Sequence, residues 1–303
     1  MKNGASQRGI GFRSCWMLSV MALGAVVGWA GPAKAPPVGS INTQIVNLWP
    51  DGSPNNPEDG PRPAMEMFLP FVDGQDATIV ILPGGGYGSL SPYERLFAEY
   101  FRGLGYRAAV VRYRVAPHRY PAPYADAARA IRLLRQGRSP EFAAARKLIL
   151  MGGSAGGHLA ALVATRPELY RDPGDDLAMK VSARPDRLVL AYPVISAVEN
   201  FASPLSFSRL LGDNPPGDLC EAVSPERHVT AENPPVFLFH AADDRQASVE
   251  NSLLFARACW RAGVPAELHV FPRGGHGRLF AYGPDVSGRW RELLQQWLAQ
   301  ELR

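Results

Sequence analysis

Three cysteines and six histidines in 303 residues leave little for metal chemistry, and none of them falls into a spacing that resembles a zinc site. Charge of one sign is also scarce. The net charge is only +4, spread along the chain, with no Lys/Arg run longer than two, which argues against a nucleic-acid partner. No internal repeat or long low-complexity tract interrupts the chain. What is there is ordinary globular composition, 46% hydrophobic and 20% charged, at a length that fits one large α/β domain or two small ones.

One segment departs from that composition. Lys2, Arg8 and Arg13 precede an uncharged apolar stretch from Cys15 to Ala30. A basic start, an apolar middle and small residues at the end predict a secretory signal peptide within 1–35, cleaved after Ala30 or after Ala35, with Pro36 counting against the second site. The alternative is an uncleaved membrane anchor, for which the run is slightly short of a comfortable span. The expectation is therefore a bacterial periplasmic or secreted protein with no stable membrane association and one catalytic domain over 36–303. Export leaves Cys220 and Cys259, either as a disulfide closing a loop of about 40 residues or as two buried thiols. The spacing leaves both open.

Beyond Pro37 the hydrophobic pattern reads as alternating elements. Short strands are expected near 45–49 and 65–69, then strands at 78–82, 106–111, 147–151, 188–192, 236–239 and 266–271. Helices are expected near 92–103, 123–136, 248–262 and 286–301, with another directly after residue 154. Such alternation predicts a mainly parallel sheet with helices on both faces. The stretch 194–234 reads as a single insertion without regular structure, placed to act as a lid.

Gly152-Gly153-Ser154-Ala155-Gly156 joins the strand at 147–151 to the helix that follows. A G-x-S-x-G between strand and helix forces a tight turn that presents the serine hydroxyl at the end of a sheet. A serine needs a base, and the base needs a carboxylate to orient it. Strand 236–239 runs into His240-Ala241-Ala242-Asp243-Asp244, and strand 266–271 into Gly274-Gly275-His276-Gly277. Both loops follow the carboxyl ends of their strands, the edge from which Ser154 emerges. His276 is the base on this reading, and the acid is Asp243 or Asp244. Of the remaining histidines, His269 reads as part of a strand, while His240 and His158 read as shaping their local turns. Gly84 to Gly86 follow strand 78–82. The N–H groups of Gly85, Gly86 and Ala155 are the expected donors to the oxyanion of a tetrahedral intermediate. Tyr87 is expected to line the substrate pocket, as are residues of 194–234 and Leu279-Phe280. No cofactor and no metal is implied.

The chain resembles the α/β-hydrolase superfamily, in particular bacterial acetyl xylan esterases, feruloyl-type esterases and prolyl-oligopeptidase-like hydrolase domains. The resemblance lies in Pro83-Gly84-Gly85-Gly86-Tyr87, Tyr113-Arg114-Val115-Ala116-Pro117, Gly153-Ser154-Ala155-Gly156-Gly157-His158 and the loops around Asp244 and His276. In that group the acid follows a His-Gly-x-x-Asp-x-x-Val-Pro pattern, which falls on His240 to Ser248 and selects Asp244; Ala241, Ala247 and Ser248 depart from it. The resemblance implies a Ser154-Asp244-His276 triad and hydrolysis of short acyl esters, acetyl foremost, on plant-wall polysaccharide or oligosaccharide. Feruloyl esterase, general carboxylesterase or serine peptidase activity would use the same residues. A non-catalytic binding module is the remaining alternative.

Overall fold

Residues 43–49, 52, 62–71, 74–137, 146–177, 180–277 and 286–302 are described by a computed structural model. The expected signal segment 1–35 and Leu279-Phe280 lie outside the described residues. Eight strands form one sheet: β1 (Thr43–Asn47), β2 (Ala64–Phe68), β3 (Ala77–Leu82), β4 (Arg107–Arg112), β5 (Lys147–Gly153), β6 (Arg187–Ala191), β7 (Val236–Ala241) and β8 (Ala266–Phe271). Their order is β1-β2-β4-β3-β5-β6-β7-β8. The β1–β2 and β2–β4 pairs are antiparallel and all the rest are parallel. The helices are α1 (Glu94–Gly103), α2 (Ala122–Gln136), α3 (Ala155–Thr165), α4 (Pro204–Leu211), α5 (Gly217–Ala222), α6 (Glu250–Arg261) and α7 (Trp290–Glu301).

The central strands are apolar at every position because both faces are covered. Alternate residues feed two separate cores. Val80, Leu82, Leu148, Leu150, Leu188, Leu190 and Leu238 pack with residues of α2, α3 and α6, such as Ile131, Leu159 and Phe255. Ile79, Ile81, Ile149, Met151, Val189, Phe237 and Phe239 point the other way, onto Phe97 and Phe101 of α1 and Trp290, Leu294 and Trp297 of α7. Trp290 stacks flat on Phe239, with ring centroids 4.6 Å apart. This is the mainly parallel sheet that the alternation predicts, and the α/β-hydrolase fold that the resemblance implies.

Two expectations change. The segment 194–234 is not devoid of regular structure: it carries α4, α5 and a 3-10 turn at Pro225–Arg227. Pro204 opens α4, and Phe207 and Leu210 are buried beneath it, while Gly212 at φ +93 ends it. Eight residues with proline at the first position and only two buried apolar side chains give too weak a periodicity to read in advance. The C-terminal helix begins at Trp290, after a 3-10 turn at Val286–Arg289. The two cysteines are free thiols, Cys259 buried and Cys220 half-buried. Among the described residues no helix is long and apolar enough to cross a membrane.

The register places one edge of the sheet. Leu82 of β3 lies beside Gly152, Gly153 beside Ala191, Ala191 beside Phe239, and Ala241 beside Phe271. All five strands therefore end at one level, and the loops that follow them meet there.

Candidate active site

Ser154 is the residue between β5 and α3, at φ 54 and ψ −122, a conformation that a side chain other than glycine adopts only when its surroundings impose it. Its backbone is pinned on both sides: its N–H donates to Ala191 O at 3.0 Å, and its carbonyl accepts from the N–H groups of His158 and Val194, each at 3.1 Å. Ser154 Oγ lies 2.9 Å from His276 Nε2, and His276 Nδ1 lies 2.8 Å from Asp244 Oδ2. The other Asp244 oxygen accepts from the N–H groups of Gln246 and Ala247 at 2.8 and 3.0 Å. Burial alone would raise the Asp244 carboxyl; the hydrogen bonds from His240, His276, Ala247 and Gln246 outweigh it and hold the group well below the usual carboxylate range. An ionised Asp244 only accepts, so His276 Nδ1 carries the proton and Nε2 is free to take one from Ser154.

His240 completes the acid loop from below. Its Nε2 donates to Ala247 O at 2.9 Å and faces Asp244 Oδ2 at 3.3 Å, while Nδ1 accepts from the Ser252 hydroxyl at 2.8 Å. Asp243 is exposed and does different work. Its Oδ1 accepts from the N–H of Gly275 at 2.7 Å, which fixes the loop that carries His276.

The glycine loop lies against the serine. A methyl group added at Gly84 would sit 3.0 Å from Gly153 O and 3.3 Å from Ser154 Cβ. The N–H of Gly84 is already taken, donating to Glu94 Oε1 at 2.9 Å. Those of Gly85, Gly86 and Ala155 donate to no backbone or side-chain acceptor among the described residues, and this leaves them for an incoming oxygen. Gly85 has φ +121, and a Cβ there would fall 2.1 Å from Ser89 O, so no other residue fits the turn.

Tyr87 is not a pocket residue. Its side chain is 1% exposed and does not line the cleft above Ser154. The hydroxyl instead lies 2.6 Å from His158 Nδ1, and His158 Nε2 lies 2.7 Å from Val223 O. A carbonyl only accepts, so Nε2 carries the proton and Tyr87 donates to Nδ1. One neutral imidazole thus ties the glycine loop, the helix after Ser154 and the insertion together. Burial pushes His158 down to about 4, below its ordinary value near 6.5. The unfolded chain then binds the extra proton, and the stability this group contributes is full above about pH 6.5 and is lost as pH falls towards 4. Urea unfolding at pH 7 and pH 4 is expected to show a loss of stability about 3 kcal/mol larger in wild type than in His158→Gln. Equal losses in the two proteins would mean that the folded state accepts the proton without cost.

Above the triad opens a cleft of about 890 Å³ lined by Gly84 to Gly86, Ser154 and His276, with Glu94, Tyr192, Leu205 and Arg209 around them. Val194, Leu205, Ser206 and Arg209 line it from within 194–234, the stretch expected to do so, whereas Glu94, Tyr192 and Gln246 were not legible beforehand as site residues. Glu94 lies within α1, and burial raises its carboxyl above the ordinary range. Arg209 sits in the insertion taken for loop. Gln246 is a linker between the acid and α6. Only Tyr192 carried a positional signal, directly after β6 at the carboxyl edge. It takes φ 36 and sets its ring edge-on to His276, with centroids 4.9 Å apart. Among the described residues no group of three or more His, Cys, Asp or Glu side chains is arranged to hold a metal ion.

The BD-FAE family model matches residues 65–259, a span that contains the elbow, the glycine loop and Asp244. The chain belongs to the BD-FAE family. Its relatives place that family among the esterases of the α/β-hydrolase superfamily. The endo-1,4-beta-xylanase B of Butyrivibrio fibrisolvens is 32% identical over 248 residues, which are 80% of this chain and 39% of that protein. The acetylxylan esterase of Xylanibacter ruminicola is 29% identical over 234 residues, 75% of this chain and 46% of that protein. The chain therefore spans less than half the length of either curated relative. A solved structure, the acetyl ester-xyloside bifunctional hydrolase of Caldicellulosiruptor lactoaceticus, superposes with a TM-score of 0.75 at 38% identity, covering 85% of this chain and 96% of that one. His276 lies beyond the span matched by the BD-FAE model, and the pairing of β8 with β7 brings its loop to Ser154.

Proposed function

We propose that this BD-FAE member is an exported serine esterase that removes short acyl groups, acetyl foremost, from plant-wall polysaccharide or oligosaccharide. The observation that carries the reading is the unbroken relay from Ser154 Oγ through His276 to an ionised Asp244, set beside three undonated N–H groups. Support for the acetyl group and the sugar comes from the acetylxylan esterase of Xylanibacter and the acetyl ester-xyloside hydrolase of Caldicellulosiruptor. Support for export comes from the sequence of residues 1–35.

In this reading Ser154 attacks the ester carbonyl while His276 Nε2 takes the hydroxyl proton. Asp244 keeps the imidazole in the required tautomer and stabilises the imidazolium. The N–H groups of Gly85, Gly86 and Ala155 receive the negative oxygen, each such donor being worth about 3–4 kcal/mol at the transition state. His276 returns the proton to the leaving alcohol, then activates a water that frees the acid from Ser154. Catalysis proceeds with the chain's own residues, without a metal or organic cofactor.

The test is acetate release from acetylated xylan, run beside aryl acetate, butyrate, octanoate and ferulate esters, with Ser154→Ala as control. Acetate release that disappears in the variant supports the reading. Aryl-ester turnover without deacetylation of xylan would remove the polysaccharide from it. A preference for ferulate over acetate would reassign the acyl group.

A further inference from the structure

The wall of the cleft holds a cation that the proposed ester chemistry does not use. Arg209, on α4, is half-buried among the cleft residues. Its guanidinium lies along the outer side of the oxyanion turn: a methyl at Gly88 would meet Cζ and Nη1 at 2.7 Å, and one at Gly86 would meet Nη1 at 3.3 Å. The one hydrogen bond it makes among the described residues is long, from Nη1 to Gly86 O at 3.5 Å. No carboxylate among them pairs with it. Elsewhere this chain neutralises its buried arginines: Arg114 is paired with Asp126, and Arg129 and Arg132 with Asp175.

The carboxyl in the same wall makes no ion pair with Arg209 among the described residues. Glu94 is 3% exposed, and one of its oxygens is engaged by the N–H of Gly84. Burial also raises its pKa and favours the neutral form. The cleft therefore presents a positive fork with most of its N–H donors open and no carboxylate paired with it among the described residues. Beyond the fork the rim is apolar. Tyr93, Leu96 and Leu205 stand 66%, 45% and 60% exposed and line the same opening, suited to the face of a ring.

We infer that Arg209 is a specificity residue for an ester that carries a carboxylate near the scissile bond. The inference rests on the esterase reading above. A planar guanidinium takes a carboxylate through two parallel hydrogen bonds, and the partial burial of Arg209 strengthens the pair over one in open solvent. The carboxylate has two possible sources. It belongs to the acid side when the substrate is a half-ester of a dicarboxylic acid. It belongs to the alcohol side when the acyl group sits on a uronate sugar.

Size-matched pairs of substrates separate the two. The acid-side pair is an aryl butyrate against an aryl hemisuccinate. The alcohol-side pair is an acetylated methyl xyloside against an acetylated methyl glucuronoside. Each is assayed with wild type, Arg209→Gln and Arg209→Lys at low and high salt. In one pair the charged member is expected to have a kcat/KM about tenfold above its neutral partner, through KM. That ratio is expected to fall to one or below in Arg209→Gln, to return in part in Arg209→Lys, and to shrink with salt. The pair that shows it identifies the source. Equal kcat/KM within both pairs for wild type would overturn the inference. So would an Arg209→Gln change that lowers charged and neutral members by the same factor, since the guanidinium would then only brace the glycine turn. Aryl acetate turnover that depends on Ser154 keeps the esterase reading alive when the charge preference fails; its absence would sink that reading itself.

Discussion

Ser154→Ala is expected to lower kcat on aryl acetate by about 10⁴- to 10⁶-fold, with KM changed little and the fold intact. The attacking oxygen is gone, and what survives is binding and the oxyanion donors. The neighbouring carboxylates give the sharper comparison. Asp244→Asn keeps the shape of the acid loop, but its amide must turn either an N–H or an oxygen toward His276 Nδ1. Presenting the N–H forces the wrong imidazole tautomer, and presenting the oxygen removes the charge that stabilises the imidazolium. A loss of about 10⁴-fold in kcat is expected. Asp243→Asn can keep an oxygen for the N–H of Gly275 and is expected to cost less than about tenfold. Steady-state kinetics on the three variants, with thermal melts to show that each is folded, decide the matter. Asp243→Asn as damaging as Asp244→Asn would mean that the acid has been misassigned.

The second large effect is on folding. Gly156 lies in the first turn of α3, where alanine would ordinarily stabilise a helix by roughly 1 kcal/mol. Here the helix starts so close to β3 that an added Cβ would fall 2.1 Å from Leu82 O and 2.5 Å from Pro83 O. Leu82 ends β3, a strand paired on both sides, and the carbonyl of Pro83 directly after it accepts from the Tyr113 hydroxyl, so neither retreats freely. Gly156→Ala is expected to cost more than about 4 kcal/mol, enough to leave little soluble protein. Gly103→Ala is the control. It sits exposed at the end of α1 with nothing within 4 Å of the new methyl, and is expected to be neutral or slightly stabilising. Soluble yield and urea midpoints measure both. A Gly156→Ala protein within 1 kcal/mol of wild type would show that the elbow has room to shift.

The architecture was legible because strands buried on both faces are apolar runs. Thr78 to Leu82, Leu148 to Met151 and Val236 to Phe239 advertise themselves without alternation. The elbow was legible because small residues on both sides of Ser154 have few other uses. Tyr87 misled for a physical reason: adjacency to the glycine loop says nothing of direction, and at φ 57 the chain turns its ring inward to His158. Glu94 left no pattern to read, since it reaches the site by the packing of α1; within 194–234, the stretch expected to line the pocket, nothing singled out Arg209, because the periodicity of α4 is too weak. The choice between Asp243 and Asp244 needed the resemblance, because two adjacent carboxylates on one loop are equivalent until the backbone says which one faces the base.

The insertion is fastened at both of its ends and between them. At its start Asn251 Oδ1 receives the N–H groups of Ile195 and Ser196, and at its end Val223 O receives His158. Between those knots α4 is held by its own buried Phe207 and Leu210, Leu210 O accepts from the N–H of Tyr120, and Ala222 O accepts from Arg166 Nη1. Anyone recombining members of this family thus has natural cut points: exchanging 197–222 alone transplants the substrate-facing wall, whereas a cut beyond Val223 unties the loop that receives the oxyanion.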